Sequence, residues 1–341
     1  MKFFHLSDLH IGKQLHRYNL KEDQQMILKE VIAYAKELRP DAIVIAGDIY
    51  DKSVPSAEAV TIFDEFLTEL SEITPAIPIL IISGNHDSPD RLNYASEILR
   101  RHHIYLVGNV PEQPEEHIEK VTLQDTYGEV DFYLLPFMKP GYVRNVFVNN
   151  VPETYADAVR EIIKREEIDY NNKRNVLVSH QFYVGEKEGS PETCDSEVFS
   201  VGGIDNVDIG AVKEFDYVAL GHLHGPQKIG KETVRYSGTP LKYSFSETNH
   251  KKAAVIVDVE EKGKINIQKI PFLPKHDMRE VRGTYMEVTA LDFYKDMNTD
   301  DYLHITLTDE EDIPDAIGKL RCIYPNIMKL SYDNLRTRAA G

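Results

Sequence analysis

Cysteine is scarce in this sequence, which has only Cys194 and Cys322 among its 341 residues. Two distant cysteines without a C-x-x-C pair exclude a disulfide framework and favour a reducing compartment. The first eight residues resemble a short strand and lack the long apolar segment of a signal peptide. No run approaches the roughly 20 consecutive apolar residues that span a bilayer. We therefore expect a cytoplasmic protein that does not enter a membrane.

Positive charge is also in short supply. The chain has 39 lysines and arginines against 56 acidic residues, a net charge of −17. This balance argues against a protein that grips phosphate backbones through bulk positive charge. It does not exclude an enzyme acting on nucleic acid, because a carboxylate-rich metal site adds negative charge and a partner protein can supply a basic surface.

The apolar content, 42% of the residues, is enough for a substantial core in one large domain or two. The runs 42–46 and 79–82 are wholly apolar, as in strands covered on both faces. Apolar spacing predicts helices over residues 21–38, 56–70 and 90–101.

Composition shifts at the proline-rich segment 271–274. Beyond it, residues 279–289 and 302–307 alternate like half-buried strands. We therefore predict two domains, the first over residues 1–270 and a small α+β domain over residues 275–335.

Several apolar strands end in residues of the types that bind metals. These strand ends are Asp8-x-His10, Gly47-Asp48, Gly84-Asn85-His86, His180 and Gly221-His222-x-His224. Any one of them could be a polar turn whose side chains bond their own backbone. Open α/β sheets, however, place ligands beyond the carboxyl ends of their strands, and so many such ends in one chain predict a shared site.

The residue types indicate the chemistry. Mixed imidazole and carboxylate ligands suit Mn, Fe or Zn better than Ca or Mg. The ligands are too numerous for one ion, and with one bridging carboxylate they fit two ions about 3.5–4 Å apart. Such a pair can hold a shared hydroxide as nucleophile and neutralise charge on a phosphoryl group, while a further imidazole protonates a leaving oxygen.

In this order, the motifs resemble the calcineurin-like metallophosphoesterase superfamily. The resemblance implies a four-layer α/β/β/α sandwich with two sheets between helices, followed by the small α+β domain. It implies that the first metal is held by Asp8, His10, Asp48 and His224. It implies that the second metal is held by Asp48 as the bridge, Asn85, His180 and His222.

The same resemblance gives roles to the neighbours of the ligands. His86 would be a catalytic acid or charge stabiliser and not a ligand. Asp87 is expected to orient a neighbouring imidazole, as ligand histidines require. Archaeal and eukaryotic relatives carry a histidine three residues after the bridging aspartate, where this chain has Asp51. We therefore expect Asp51 beside the ligands without the role of that histidine.

Residues 234–241 and 244–247 narrow the resemblance to a nuclease branch, the bacterial SbcD family, as do Ser196-Glu197 and Val201-Gly202-Gly203. This branch implies a Mn-dependent nuclease of DNA repair, recombination and replication. Its substrates would be double-stranded DNA ends, cut as an exonuclease, and hairpins, cut as an endonuclease.

The branch also implies partners. One is an SbcC-type ATPase, and another is a second copy of the chain, in a homodimer joined through the helices over 56–70 and 90–101. The branch further implies a location at the nucleoid. Residues 275–335 would be a DNA-capping domain. Relatives continue past that domain, and a chain ending at Gly341 fits either a short tail or a truncated sequence.

Contacts with DNA are the least specific prediction. His16 and Arg17 follow the first ligand pair and are candidates for touching a phosphate, although a solvated loop explains them equally well. Arg235 and Lys242 belong to a basic cluster that could form a DNA track. The cluster comprises Lys228, Lys231, Arg235, Lys242, Lys251 and Lys252.

Two other functions remain open at this stage. A protein phosphatase or cyclic-nucleotide phosphodiesterase would use the same chemistry, but the tail beyond Pro274 and the stretch 235–247 argue against it. A DNA-end scaffold without catalysis is the third possibility. The presence of every ligand and of His86 argues against the scaffold.

Overall fold

A computed structural model of the chain describes residues 1–147, 151–185, 191–197 and 203–339. Its strands are β1 Lys2–Leu6, β2 Gln14–Leu15, β3 Tyr18–Asn19, β4 Ala42–Ala46, β5 Ile79–Ile82, β6 Ile104–Val107, β7 Glu119–Asp125, β8 Gly128–Leu135, β9 Arg174–His180, β10 Phe182–Val184, β11 Asn206–Asp208, β12 Tyr217–Gly221, β13 Gln227–Ile229, β14 Lys231–Tyr236, β15 Ala253–Val259, β16 Ile265–Pro271, β17 Met278–Gly283, β18 Tyr302–Leu307 and β19 Ile327–Tyr332. Its α-helices are α1 Lys21–Leu38, α2 Ala57–Ser71, α3 Pro89–Leu92, α4 Ser96–Arg100, α5 Tyr155–Lys164, α6 Tyr285–Val288, α7 Leu291–Tyr294, α8 Ala316–Leu320 and α9 Leu335–Ala339.

Two six-stranded sheets carry most of the chain. The first has the order β16-β15-β1-β4-β5-β6, and β1, β4, β5 and β6 run parallel. The second has the order β13-β14-β12-β9-β8-β7, with β14, β12, β9 and β8 parallel. Within each sheet the parallel strands therefore place their carboxyl ends at one edge, which is where the predicted site residues follow.

The two sheets pack face to face. Between them, the ring centroid of Phe3 lies 5.3 Å from that of Phe132 and 5.6 Å from that of Tyr217. The outer face of the first sheet packs on α1 and α2, and that of the second packs on α5. The predicted α/β/β/α sandwich is confirmed. No helix in the described part of the chain is long and apolar enough to cross a membrane.

The helix predicted over 56–70 is confirmed as α2, whose N-cap Ser56 accepts a hydrogen bond from the backbone N–H of Ala59. The single helix predicted over 90–101 is wrong. That stretch forms the two short helices α3 and α4, and Ala95 between them has a left-handed φ of 60°. The break has a non-local cause, since the Asn93 side chain accepts a hydrogen bond of 2.7 Å from the N–H of Gly108.

The C-terminal part has a parallel sheet of its own, in the order β17-β18-β19, with a separate apolar core. The strand predicted over 279–289 is wrong beyond Gly283. There Thr284 and Glu287 form a capping box, in which each side chain bonds the other residue's backbone N–H, and a helix begins.

This C-terminal part packs on the core of the sandwich through Met278, Tyr302 and Met328, and polar contacts at α1 and the β2–β3 hairpin add to the attachment. Asp23 accepts hydrogen bonds from the Tyr302 hydroxyl at 2.7 Å and from the His276 ring at 3.0 Å. The Tyr18 hydroxyl donates to the carbonyl of Ile327 at 3.1 Å. The sheet of the C-terminal part is thus fixed beside the segment that follows His10.

We predict that Phe132→Ala lowers the free energy of unfolding by about 3–5 kcal/mol, because it leaves a cavity between the two sheets. Urea unfolding followed by circular dichroism measures the change. Leu273→Ala is the matched control, since Leu273 is 70% exposed and its loss should cost about 0.5 kcal/mol or less. Equal unfolding midpoints for the two variants would contradict the packing described here.

Candidate metal centre

The strand ends of both sheets meet at one point. β1, β4 and β5 come from the first sheet, and β9 and β12 come from the second. The side chains that they bring together are Asp8, His10, Asp48, Asn85, His180, His222 and His224. All of these except Asn85 are buried.

Backbone strain is concentrated at this point. Asp8, His10, Asp48 and His222 have φ values of 53°, 45°, 50° and 107°. Residues other than glycine seldom adopt positive φ, and such conformations persist where the surrounding structure enforces them, commonly at functional sites. These conformations turn the chain sharply after β1, β4 and β12, where the predicted ligands follow.

One half of the centre contains Asp8, His10 and His224. Their ligand atoms lie within 4.8 Å of one another. The Nε2 atoms of His10 and His224 are 3.1 Å apart. Two imidazole nitrogens so close either share a proton or direct their lone pairs at a common cation. With a carboxylate beside them, this donor set fits a transition-metal ion.

The other half is built around Asn85. Its Oδ1 lies 2.8 Å from Nδ1 of His222 and 3.1 Å from Nε2 of His180. Asp48 lies between the halves, with Oδ2 3.3 Å from His180 Nε2 and 3.7 Å from His10 Nε2. Asp48 would be placed to bridge two ions, and this role stays a prediction.

Burial sets the protonation of these groups. It lowers the pKa of His10 and His224, and that of His222 to about 3, so these imidazoles are neutral near pH 7 and have lone pairs to offer. Burial also raises the pKa of Asp8 to about 8. For His180 burial acts to lower the pKa, but the charge of Asp48 opposes it and the pKa rises to about 9.

His86 lies beside the centre in a fixed orientation. Its backbone N–H donates to Asp48 Oδ1 at 2.8 Å, and its ring Nδ1 donates to the carbonyl of Asp51 at 2.9 Å. Because a carbonyl only accepts, Nδ1 carries a proton, and in the neutral ring Nε2 is the atom with the lone pair. The ring also lies close to the ligands, with its centroid 4.8 Å from that of His10.

Asp51 and Asp87 both lie next to the centre, but Asp87 does not act as expected. Asp87 accepts hydrogen bonds from the backbone N–H groups of Ile49, Tyr50 and Gly84 at 3.1, 3.0 and 2.9 Å. The prediction that it orients an imidazole is therefore wrong, since it ties the loop after β4 to the loop after β5. Burial and the nearby Asp48 raise the pKa of Asp87 to about 6.

Two neighbours complete this corner. Asp51 Oδ1 lies 2.8 Å from Lys13 Nζ and 3.7 Å from Nδ1 of His10, so the side chain stands behind a predicted ligand. Gly84 has no room for a side chain, because a Cβ atom there would collide with the Asp48 carboxylate and its backbone nitrogen. Glycine thus permits the close approach of the β4 and β5 ends.

Two of the predicted DNA contacts are wrong. Arg235 is 5% exposed and pairs with Glu232 at 3.2 Å, so its side chain is part of the sandwich. Lys242 binds the Asp277 carboxylate at 2.7 Å and the Thr248 carbonyl at 2.8 Å, so it joins the sandwich to the C-terminal part. His16 and Arg17 are exposed in the β2–β3 turn, and their contact with DNA stays a prediction.

Sequence reasoning missed a group of polar residues behind His224. Ser196 Oγ lies 2.7 Å from Nδ1 of His224 and 2.7 Å from Glu247. Lys252, which the basic track had included, is buried and donates to Glu247 at 2.6 Å. The sequence contained one indication of this group, since Ser196 and Glu247 lie in the segments that resemble the SbcD family. Two further residues of those segments, Val201 and Gly202, lie outside the described residues.

A cleft of about 250 Å³ opens beside Asn85 and His222. Its described wall combines aromatic side chains with one lysine and two aspartates. These residues are Phe137, Tyr142, Tyr155, Lys139, Asp87 and Asp205. Tyr142 is 47% exposed, so its ring is available to a molecule bound at the centre.

Comparison with known families fits this arrangement. The sequence profile of the Calcineurin-like phosphoesterase family matches residues 1–226. A second profile, the Type 5 capsule protein repressor C-terminal domain, matches residues 274–340. The first match covers strands β1 to β12, and it includes every predicted ligand.

Curated relatives match almost the whole chain. The SbcD subunit of the SbcCD nuclease from Staphylococcus epidermidis is 37% identical over 334 residues, which is 97% of this chain and 85% of that protein. The protein of the same name from Staphylococcus saprophyticus is 32% identical over 332 residues, which is 97% of this chain and 84% of that protein.

Among solved structures, a dimetal phosphatase from Danio rerio is 12% identical and covers 80% of this chain and 97% of its own, with a TM-score of 0.45. So distant a likeness adds nothing to the assignment, which rests on the profile and on the two relatives. The chain belongs to the calcineurin-like phosphoesterases and, within them, to the SbcD family of SbcCD nuclease subunits.

Proposed function

We propose that this protein is a two-metal phosphodiesterase that cleaves DNA, acting as the nuclease subunit of an SbcCD-type complex. The observation that carries the proposal is the convergence of imidazole, carboxylate and amide side chains from both sheets on one buried centre. The nuclease relatives, which match 97% of the chain, support the choice of reaction.

Two divalent cations would be held here, and Mn²⁺ is the ion we propose given the mixed nitrogen and oxygen donors. The first would take Asp8, His10, Asp48 and His224, and the second Asp48, Asn85, His180 and His222. When bound, such ions supply a nucleophile and offset the charge that develops on the phosphoryl group. The chain itself supplies His86, whose Nδ1 is held by the Asp51 carbonyl at 2.9 Å, so that Nε2 would be the ring atom that acts on the substrate.

The cleft beside the centre favours a nucleic-acid substrate. Aromatic side chains stack on bases of any sequence, and a lysine beside them pairs with a phosphate. Phe137, Tyr142 and Lys139 line the cleft next to the ligand Asn85. We propose double-stranded ends and hairpins as substrates, cut by exonuclease and endonuclease action respectively.

The acidic chain requires help in holding DNA. With a net charge of −17, we expect phosphate binding to depend on an SbcC-type ATPase and on a capping domain over residues 275–335. Such a complex would act on DNA in the cytoplasm, at the nucleoid.

The surface formed by α2, α3 and α4 is the proposed homodimer face. Val60, Tyr94 and Ile98 are 45%, 83% and 63% exposed there. Val60 and Tyr94 border a groove of about 510 Å³ whose lining includes Phe63 and Leu67. Contiguous exposed apolar surface marks an interaction site, and the family resemblance points to a second copy as the occupant.

The function is tested with three substrates offered to the purified chain in Mn²⁺: a DNA hairpin, a nitrophenyl phosphodiester and a phosphopeptide. Cleavage of the hairpin and the diester is expected. Cleavage of the phosphopeptide with the DNA left intact would show a protein phosphatase instead. Binding of the hairpin without hydrolysis of any substrate would show a scaffold.

We predict that His86→Ala lowers the rate of hairpin cleavage by about 10²–10⁴-fold while Mn²⁺ affinity is unchanged. The backbone N–H that donates to Asp48 survives the substitution, so the ligands keep their support. Cleavage kinetics and calorimetric titration measure the two quantities. Asn85→Ala is the contrasting variant and should weaken metal binding; cleavage by His86→Ala at the native rate would refute its catalytic role.

We predict that Mn²⁺ binding near pH 7 releases protons and that affinity rises steeply between about pH 6 and pH 8. Below their raised pKa values of about 8 and 9, Asp8 and His180 hold protons in the metal-free protein. A metal ion takes both groups deprotonated, so acid competes with it. Titration in two buffers of different ionisation enthalpy counts the protons, and a pH-independent affinity would contradict the assignment.

We predict that Val60→Asp shifts the protein from dimer to monomer, because it places a charge in the apolar α2 surface. Light scattering coupled to size-exclusion chromatography measures the mass. Val151→Asp, at a residue that is 42% exposed elsewhere on the chain, is the control and should leave the mass unchanged. If wild type and Val60→Asp have the same mass, this face is not the dimer contact.

A further inference from the structure

Glu247 is a fully buried carboxylate that the reaction described above does not use. Its Oε1 accepts hydrogen bonds from the Ser196 hydroxyl at 2.7 Å, the Ser244 hydroxyl at 3.0 Å and the N–H of Tyr243 at 3.2 Å. Its Oε2 accepts from Lys252 at 2.6 Å. With no exposed surface, Glu247 depends on these partners and on the Thr239 hydroxyl, which lies 3.4 Å from Oε2.

Lys252 fixes the state of this carboxylate. It too is buried, and besides Glu247 it donates to the Thr239 hydroxyl at 2.7 Å and to the carbonyl of His224 at 2.8 Å. An ammonium group has three donors and no acceptor, so all three are used. A buried ammonium in contact with Glu247 keeps Glu247 ionised, and an ionised carboxylate only accepts hydrogen bonds.

The direction of the next two hydrogen bonds follows. Ser196 has one hydroxyl proton, which goes to Glu247 because Glu247 can only accept. Its oxygen, 2.7 Å from Nδ1 of His224, must then accept, so Nδ1 carries the proton. In the neutral ring Nε2 is then the atom with the free lone pair, and this is the atom that faces His10 Nε2 at 3.1 Å.

We propose that Lys252, Glu247 and Ser196 form a relay that selects the Nδ1–H tautomer of His224 and aims its Nε2 lone pair into the metal centre. The inference rests on the proposed metal centre, for which it names three positioning residues. Glu197 assists at the backbone, since its carboxylate accepts from the N–H of His224 at 2.5 Å. Partners of this kind fix the orientation and basicity of a ligand histidine.

The same corner could suggest a separate metal site, since Cys194, Glu247 and His250 also offer ligand atoms within 4.8 Å of one another. The contacts argue against it. Both oxygens of Glu247 already accept hydrogen bonds, and Lys252 neutralises its charge at 2.6 Å. A cation there would have to displace an ammonium group, so Glu247 acts on His224 instead.

Ser196→Ala tests the relay because it removes a single oxygen from a partly exposed position. Ser196→Thr retains the hydroxyl. Ser246→Ala is the matched control, since the Ser246 hydroxyl contacts the Asp195 N–H and Ser244 but not His224. Glu247→Gln tests the second link by placing an amide donor beside Ser196.

Two measurements on the whole chain decide the matter. In metal-free protein with ¹⁵N-labelled histidine, nuclear magnetic resonance reports the His224 tautomer, assigned by the loss of its signals in His224→Ala. Calorimetric titration with Mn²⁺ reports affinity. For Ser196→Ala and Glu247→Gln we expect a mixture of tautomers and a fall of about tenfold or more in the affinity of one site. Ser196→Thr and Ser246→Ala should match wild type.

Unaltered tautomer and affinity in Ser196→Ala would overturn the relay. A melting temperature of Ser196→Ala within about 2 °C of wild type shows that its fold is intact, so that result can be interpreted even if Glu247→Gln fails to fold. If wild type takes up no Mn²⁺, the proposed function fails. The tautomer measurement then decides the relay by itself, because it needs no metal.

Discussion

The site depends on a contact between the two sheets at His180. This residue ends β9 of the second sheet, yet its Nδ1 donates to the carbonyl of Ala46, the last residue of β4 in the first sheet, at 2.7 Å. Its Nε2 then faces Asp48 at 3.3 Å. A shift of one sheet relative to the other would break both contacts, so the packing of the sandwich sets the distance between the two halves of the centre.

The centre is costly to form, and the core offsets the cost. Four of the converging residues have positive φ, at about 1–3 kcal/mol each. The adjoining strands β1, β4, β9 and β12 are almost wholly buried, and their apolar side chains supply a much larger stabilisation through burial. Strand ends can therefore hold conformations that isolated peptides would not adopt.

The features that could be predicted from the sequence are those that local sequence patterns determine. The apolar runs located β4 and β5 at their observed bounds, and the polar residues after each strand indicated which side chains would meet. The polar residues after successive strands are informative because the carboxyl ends of parallel strands lie at one edge of a sheet, whatever segments connect the strands. Their ligation of metal remains our proposal.

The errors come from non-local contacts. The α3–α4 break depends on Asn93 reaching Gly108, and the burial of Arg235 depends on which sheet receives β14. Likewise, Asp87 was expected to orient an imidazole, but the loop after β4 brings the N–H groups of Ile49 and Tyr50 to it first. Apolar periodicity carries no information about partners so far apart in the chain.

The support behind His224 also links the centre to the C-terminal part. Residues 242–252 contain Glu247 and Lys252, which fix His224, and also Lys242, which binds Asp277 at 2.7 Å. In the same segment, the ring of Phe245 lies 5.3 Å from that of His304. One short segment therefore contacts both the residues behind His224 and the C-terminal part. The contacts that support the centre and those that hold the C-terminal part belong to one continuous stretch of the chain.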